Sequence, residues 1–178
     1  MESQSAHPHT GSVESHLAAL ESLLHGIIRN ARFDLTLEIR KVDPNPGELE
    51  APELVVEFSG RDADLLLEKN GTLLDAIEYV VLKAVRLEED LFGKITFDCD
   101  GWRNLRTEEL KLTARIAAER VVETGDPFTL NPMNARERRI VHLALRDQTA
   151  VRTESHGSGQ ERKVVILPAS PGQQTSPR

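Results

Sequence analysis

The sequence predicts an α+β chain of two successive units, and three observations predict it. Apolar residues recur at helical spacing in some segments and alternate at strand spacing in others. The segments run helix-strand-strand-helix-helix-strand, then helix, short strand, helix and hairpin. The charge also changes sign along the chain. Residues 1–101 hold 9 Lys+Arg against 20 Asp+Glu, net −11, and residues 102–178 hold 13 against 9, net +4, within a total of −7. The expected boundaries are a polar tail over 1–12, a first unit over 13–100, a second over 101–168, and a second tail over 169–178.

Each element has its own warrant. Glu14 to Ala31 is an amphipathic helix with Leu17, Leu20, Leu23, Leu24, Ile27 and Ile28 on one face. Leu35 to Val42 alternates as a half-buried strand, Pro44-Asn45-Pro46-Gly47 is a turn, and Leu54 to Phe58 is a second strand. Ala63 to Lys69 is a short helix. Thr72 to Glu89 is a longer one, expected to turn Leu73, Ile77, Val80, Val81, Ala84 and Val85 inward. Gly93 breaks it before the strand Lys94 to Cys99. Trp102 to Thr124 is a long helix with Leu105, Leu112, Ile116, Ala117 and Val121 as its expected core positions. Phe128 to Leu130 is a short strand, and a basic helix follows. Val151 to Glu154 and Lys163 to Leu167 pair as a hairpin with Ser155 to Gln160 as its loop.

Composition excludes several classes. No apolar run approaches the roughly 18 residues of a membrane span, and the N-terminus lacks the basic and apolar regions of a signal peptide. The single cysteine, Cys99, rules out an internal disulfide framework and stands in a strand-like run as a small buried residue. A reducing cytoplasm fits this usage. His7 and His9 lie in the polar tail and make no metal site on their own. Neither paired carboxylates nor a nucleophile with its base accompanies the basic helix, so the chain is expected not to be an enzyme and to need no cofactor or metal.

The basic helix carries the chemistry. Asn134 is its N-cap and Glu137, three residues on, completes a capping box. At roughly 100° per residue, Arg138, Arg139, His142 and Arg146 fall on one stripe with no acid among them. Guanidiniums offer bidentate forks to phosphate, and an imidazole can stack on a base or donate to a phosphate. His142 can equally tie the helix to the hairpin. Arg103 and Arg106, one turn apart at the start of the preceding long helix, either extend this basic face or pair with Glu108 and Glu109. Arg162 adds a further cation from the hairpin.

Taken together, these residues resemble the Jag family of bacterial proteins, which join a type II KH domain to an R-x-x-x-H domain. Pro132-Met133-Asn134, Glu137-Arg138-Arg139 and His142 resemble the family's central motif. Gly101-Trp102-Arg103 and Arg106 resemble its aromatic-Arg-x-x-Arg helix start. Thr153-Glu154-Ser155-x-Gly157 and Arg162-Lys163-Val164-Val165 resemble its hairpin. The resemblance covers about residues 14–167. It implies a type II KH-like domain of order α-β-β-α-α-β, then two helices on a three-stranded antiparallel sheet. It implies binding of single-stranded RNA, or single-stranded DNA, and a link to cell elongation and envelope synthesis. It further implies a small KH-domain protein as partner. Apart from the resemblance, a homodimer is the other partner expected.

The first unit departs from this pattern. A KH domain clamps the nucleic-acid backbone with a Gly-x-x-Gly loop; the aligned residues here are Glu68-Lys69-Asn70-Gly71. Glu68 puts a carboxylate where the first glycine belongs, and Asp62, Asp64, Asp75 and Glu78 outnumber Lys69 and Lys83 nearby. The first unit is therefore expected to bind RNA weakly and to act as a scaffold or protein-docking surface. The competing reading of the whole chain is an adaptor whose KH half docks a partner.

Overall fold

A computed structural model of the chain describes residues 13–43 and 52–169. The turn at Pro44-Asn45-Pro46-Gly47, His7 and His9, and the last nine residues lie outside them. The chain divides into two compact units, Met1–Trp102 and Arg103–Arg178.

The first unit is α+β in the order α1 (Leu17–Ala31), β1 (Leu35–Lys41), β2 (Leu54–Gly60), α2 (Ala63–Ala84) and β3 (Ile95–Cys99). Four non-helical residues, Glu68 to Gly71, break α2 into the two expected helices. The sheet order is β1-β2-β3, with β1 and β2 antiparallel and β2 and β3 parallel. Strand β2 is central, and alternate residues Leu54, Val56 and Phe58 are buried, as a two-residue side-chain period requires. They pack against Leu20 and Leu24 of α1 and Leu66, Leu74, Val81 and Leu82 of α2. Phe58 and Phe97 meet with ring centroids 5.9 Å apart. The inward face of α2 is rotated from the expected one. Val80 is 57% exposed, Leu73 and Ala84 also face solvent, and Leu74 and Leu82 are buried instead. The helix after Thr72 carries two neighbouring apolar stripes, and the one with Leu74, Val81 and Leu82 enters the core while Leu73, Val80 and Ala84 stay outside it.

The second unit contains α3 (Trp102–Thr124) from Arg103 onward, β4 (Phe128–Thr129), α4 (Ala135–Ala144), β5 (Val151–His156) and β6 (Lys163–Pro168). The strands form one antiparallel sheet, β4-β6-β5. Register places Thr153 beside Ile166 and Ser155 beside Val164, so both hydroxyls share the face of the buried Val164 and Ile166. Ile140, Val141 and Leu145 close over that core.

Helix α3 corrects the expected core. Ala117 and Val121 are buried, but Leu105, Leu112 and Ile116 are 72%, 54% and 57% exposed. The buried face is Leu110, Ala114, Ala117, Ala118 and Val121. Alanines bring a helix close to its sheet at little entropic cost, and the larger aliphatics are left on the opposite side.

Candidate nucleic-acid interface

Helix α4 begins as its sequence dictates. The Asn134 side chain accepts from the Glu137 backbone N–H at 2.8 Å, and the Glu137 carboxylate accepts from the Asn134 N–H at 3.1 Å. This capping box satisfies two donors that the helix end leaves open. The same carboxylate belongs to a residue only 4% exposed and has a further duty. It accepts from Arg106 Nε at 2.7 Å, while Arg106 Nη1 donates to Glu109 at 2.9 Å. Burial works against the Arg106 charge, but hydrogen bonds to Glu137 and Glu109 overcome it and raise its pKa. Arg106 is thus an internal strut between α3 and α4 with its charge neutralised on both sides. Glu108, the other partner considered for it, pairs with Lys111 at 2.7 Å.

Arg138 and His142 sit on the seam between α4 and strand β5. Residues 138 and 142 are one turn apart, so their side chains stack on one side of the helix. Ser155 Oγ accepts from Arg138 Nη1 at 3.3 Å and lies 3.0 Å from His142 Nε2. Thr153 Oγ1 lies 2.6 Å from His142 Nδ1. Both ring nitrogens are therefore engaged, and a neutral imidazole donates to one hydroxyl and accepts from the other. Burial, and then the neighbouring Arg138 charge, depress the His142 pKa from its ordinary value of 6.5. The imidazole is neutral at physiological pH and binds helix to strand.

The Arg138 guanidinium is different from that of Arg106. Its Nε is buried without a hydrogen-bond partner, and no carboxylate among the described residues lies within ion-pair distance of it. Arg139 is exposed one residue on. Arg146 is not part of a helical stripe: α4 ends at Ala144, and Arg146 Nε lies 3.3 Å from Asp147 in the turn beyond. Arg103 is half-buried in the first turn of α3, its carbonyl accepting from the Thr107 hydroxyl at 2.8 Å. Arg162 is exposed just before β6, and its carbonyl accepts from the Met133 N–H at 3.1 Å, which holds the hairpin to the segment entering α4.

A family model of the R-3-H domain, the R-x-x-x-H module, matches residues 108–168. The RNA-binding protein KhpB of Clostridium symbiosum is 34% identical over 137 residues, which are 77% of this chain and 58% of that protein. The RNA-binding protein KhpB of Bacillus subtilis (strain 168) is 32% identical over 111 residues, 61% of this chain and 53% of that protein. The chain belongs to the Jag family. It spans little more than half the length of these two curated relatives.

In this Jag chain two residues of the candidate interface are not singled out by sequence spacing. Thr153 and Ser155 fall within the expected hairpin, Ser155 in its loop, yet β5 runs on to His156 and places both hydroxyls against α4. Their signal was present: residues two apart on a strand share a face. Arg152, Glu154 and His156 take the other face, where Glu154 pairs with both neighbours.

The loop of the first unit that stands where a Gly-x-x-Gly clamp is expected is built around a packing contact. Lys69, Asn70 and Gly71 are all left-handed, with φ of 51°, 60° and 73°. Glu68, Lys69 and Asn70 are exposed, but Gly71 is buried. A Cβ on Gly71 would stand 2.7 Å from the Trp102 ring. The one glycine kept from the Gly-x-x-Gly pattern is therefore required by its backbone angle and by the indole lying on it. Among the described residues no group of three or more His, Cys, Asp or Glu side chains could hold a metal, and no helix is long and apolar enough to cross a membrane.

Proposed function

We propose that the chain is a non-catalytic, cytoplasmic binder of single-stranded nucleic acid, RNA foremost, and that the α4–β5 seam is its phosphate-contacting face. One observation carries the reading. Arg138 bears a charge that no carboxylate among the described residues neutralises, on the same seam as two ordered hydroxyls and beside the exposed Arg139. A charged donor set without an internal counter-charge is suited to an anionic ligand. The names of the relatives, RNA-binding proteins, support RNA over other polyanions. His142 and Thr153 hold the geometry of this face, and Arg162 and Arg103 extend it. The family resemblance adds cell elongation and envelope synthesis as the process served, and a small KH-domain protein as partner.

The test is a titration of the full chain with a short single-stranded RNA across a salt series. Affinity should fall steeply with salt as phosphate contacts release counterions. Arg138→Ala should weaken it about 10- to 150-fold, the range for hydrogen bonds to a charged group. Salt-insensitive binding, or an Arg138→Ala chain that binds as tightly as the natural one, would refute the assignment.

The covered Gly71 supports a second reading for the KH half alone, a docking or scaffold unit in place of an RNA clamp. Replacing Glu68 by Gly and Asn70 by Arg should then leave the RNA affinity of the full chain unchanged within about twofold, because the indole still occupies the glycine. A large gain would favour the carboxylate as the sole obstacle.

A further inference from the structure

Helix α3 has two apolar faces, and the fold uses one. Its buried residues Leu110, Ala114, Ala117, Ala118 and Val121 meet the core of the second unit. On the opposite side, Leu105, Leu112 and Ile116 are all more than half exposed. At roughly 100° per residue, Leu112 and Ile116 lie about 20° either side of Leu105, so the three form a straight stripe. Spacings of seven and four are those of a helix seam that receives a second helix. The nucleic-acid interface uses none of these side chains.

We propose that this stripe is the contact between two copies of the chain, with their α3 helices antiparallel. The charges beside the stripe select the occupant. Glu108 and Arg115 share one flank, about 60° and 80° from Leu105, and both are exposed. In an antiparallel pair, like flanks face each other. With Leu105 of one copy opposite Ile116 of the other, Glu108 comes within about 3 Å of Arg115 along the axis, and symmetry repeats the pair. Leu112 then meets the aliphatic stem of Glu109, whose carboxylate is held aside by Arg106. In a parallel pair the same flank faces Thr113 and Arg120, which sets Arg115 beside a like charge, and both ion pairs are lost. Over Leu105 to Ile116 the apolar stripe and the Glu108 and Arg115 flank both match a reversed copy, which fits a second copy of this chain better than an unrelated helix; the exposed Glu119 and Glu123, about 40° and 0° from Leu105 further along, lie beyond this overlap. Lys111, which now holds Glu108 at 2.7 Å, shares that carboxylate with the incoming Arg115.

The experiment is sedimentation equilibrium on the full chain, followed by cross-linking. The natural chain should dimerise, and Leu112→Glu with Ile116→Glu should leave it monomeric with an unchanged circular dichroism spectrum. Glu108→Arg, at an exposed site that does not threaten folding, should raise the dimer dissociation constant on the order of tenfold. Adding Arg115→Glu should restore it. A mixture of Leu105→Cys and Ile116→Cys chains should form disulfide-linked pairs, and Leu105→Cys alone should not. The proposal is overturned by a natural chain that stays monomeric at high concentration, by a dimer that survives the double Glu substitution, by Arg115→Glu failing to rescue Glu108→Arg, or by Leu105→Cys cross-linking to itself.

Discussion

Replacing Arg106 by Ala separates structural from ligand-facing arginines most sharply. The Arg106 side chain is 16% exposed and that of Glu137 is 5% exposed, with 2.7 Å between Nε and the carboxylate. Removing the guanidinium leaves the buried Glu137 carboxylate held by the Asn134 N–H at 3.1 Å. Breaking a buried pair from one side costs about 3–5 kcal/mol, because the remaining charge stays desolvated. The partial exposure of Arg106 and the surviving backbone bond favour the lower end, about 3 kcal/mol. For a domain of this size each kcal/mol moves the thermal midpoint by about 4–8 °C. Arg106→Ala should therefore lower the midpoint of the second unit by roughly 10 °C or more in calorimetry. Arg138→Ala, which removes one 3.3 Å bond to Ser155 and an orphaned Nε, should lower it far less. At a temperature where both variants are folded, Arg106→Ala should retain RNA affinity and Arg138→Ala should lose it. If Arg106→Ala melts like the natural chain and binds RNA poorly, Arg106 is a ligand residue and the strut argument is wrong.

Three further outcomes follow from the geometry. Gly71→Ala should destabilise the first unit by on the order of 2–4 kcal/mol in urea titration, from the positive φ and the 2.7 Å contact with Trp102; a neutral effect would mean that the indole moves freely. Cys99 is buried, and burial, then Asp100, Asp98, Glu57 and Asp64, push its thiol up to about 11, so it should not react with Ellman's reagent at about pH 8 until the chain is unfolded. The depressed His142 pKa means that the unfolded chain binds a proton more readily than the folded one. Stability from this group is full above pH 6.5 and is lost as pH falls through the lower folded value. The natural chain should therefore lose more stability between about pH 7 and pH 5 than His142→Gln, and equal losses would place the histidine in solvent.

Much of the fold was legible because local signals agreed with each other. The alternation at Leu54 to Phe58, the capping box at Asn134 and Glu137, and the break before Thr72 each specify a local structure without help from distant residues. Two things were hidden. The first was the phase of a helix. Helix α3 offers an alanine-rich stripe and a leucine–isoleucine stripe, and spacing alone does not say which one meets the sheet. Choosing the larger side chains put Leu105, Leu112 and Ile116 in a core they do not enter. In α2 the same ambiguity recurs after the kink, where Val80 is exposed and Leu74 is buried although both lie on apolar stripes.

The second hidden feature was where the carboxylates land. Along the sequence, Arg138 and Arg146 share one stripe of the basic helix, and Arg106, at the start of the preceding helix, either extends that face or pairs with nearby acids. In space each has met a different fate. Arg106 is neutralised by Glu137, an acid 31 residues away that the fold brings to 2.7 Å. Arg146 falls past the helix end and lies against Asp147. Arg138 reaches only the Ser155 hydroxyl, which it shares with His142. A helical wheel relates residues of one helix only, so it shows Glu137 as the capping partner of Asn134 and not as the partner of Arg106 on another helix. On the proposed reading, an anion is met by the arginines that tertiary structure leaves without an acid. Among the described residues Arg138 on the seam and the exposed Arg139 beside it meet that criterion, and Arg106 and Arg146 do not.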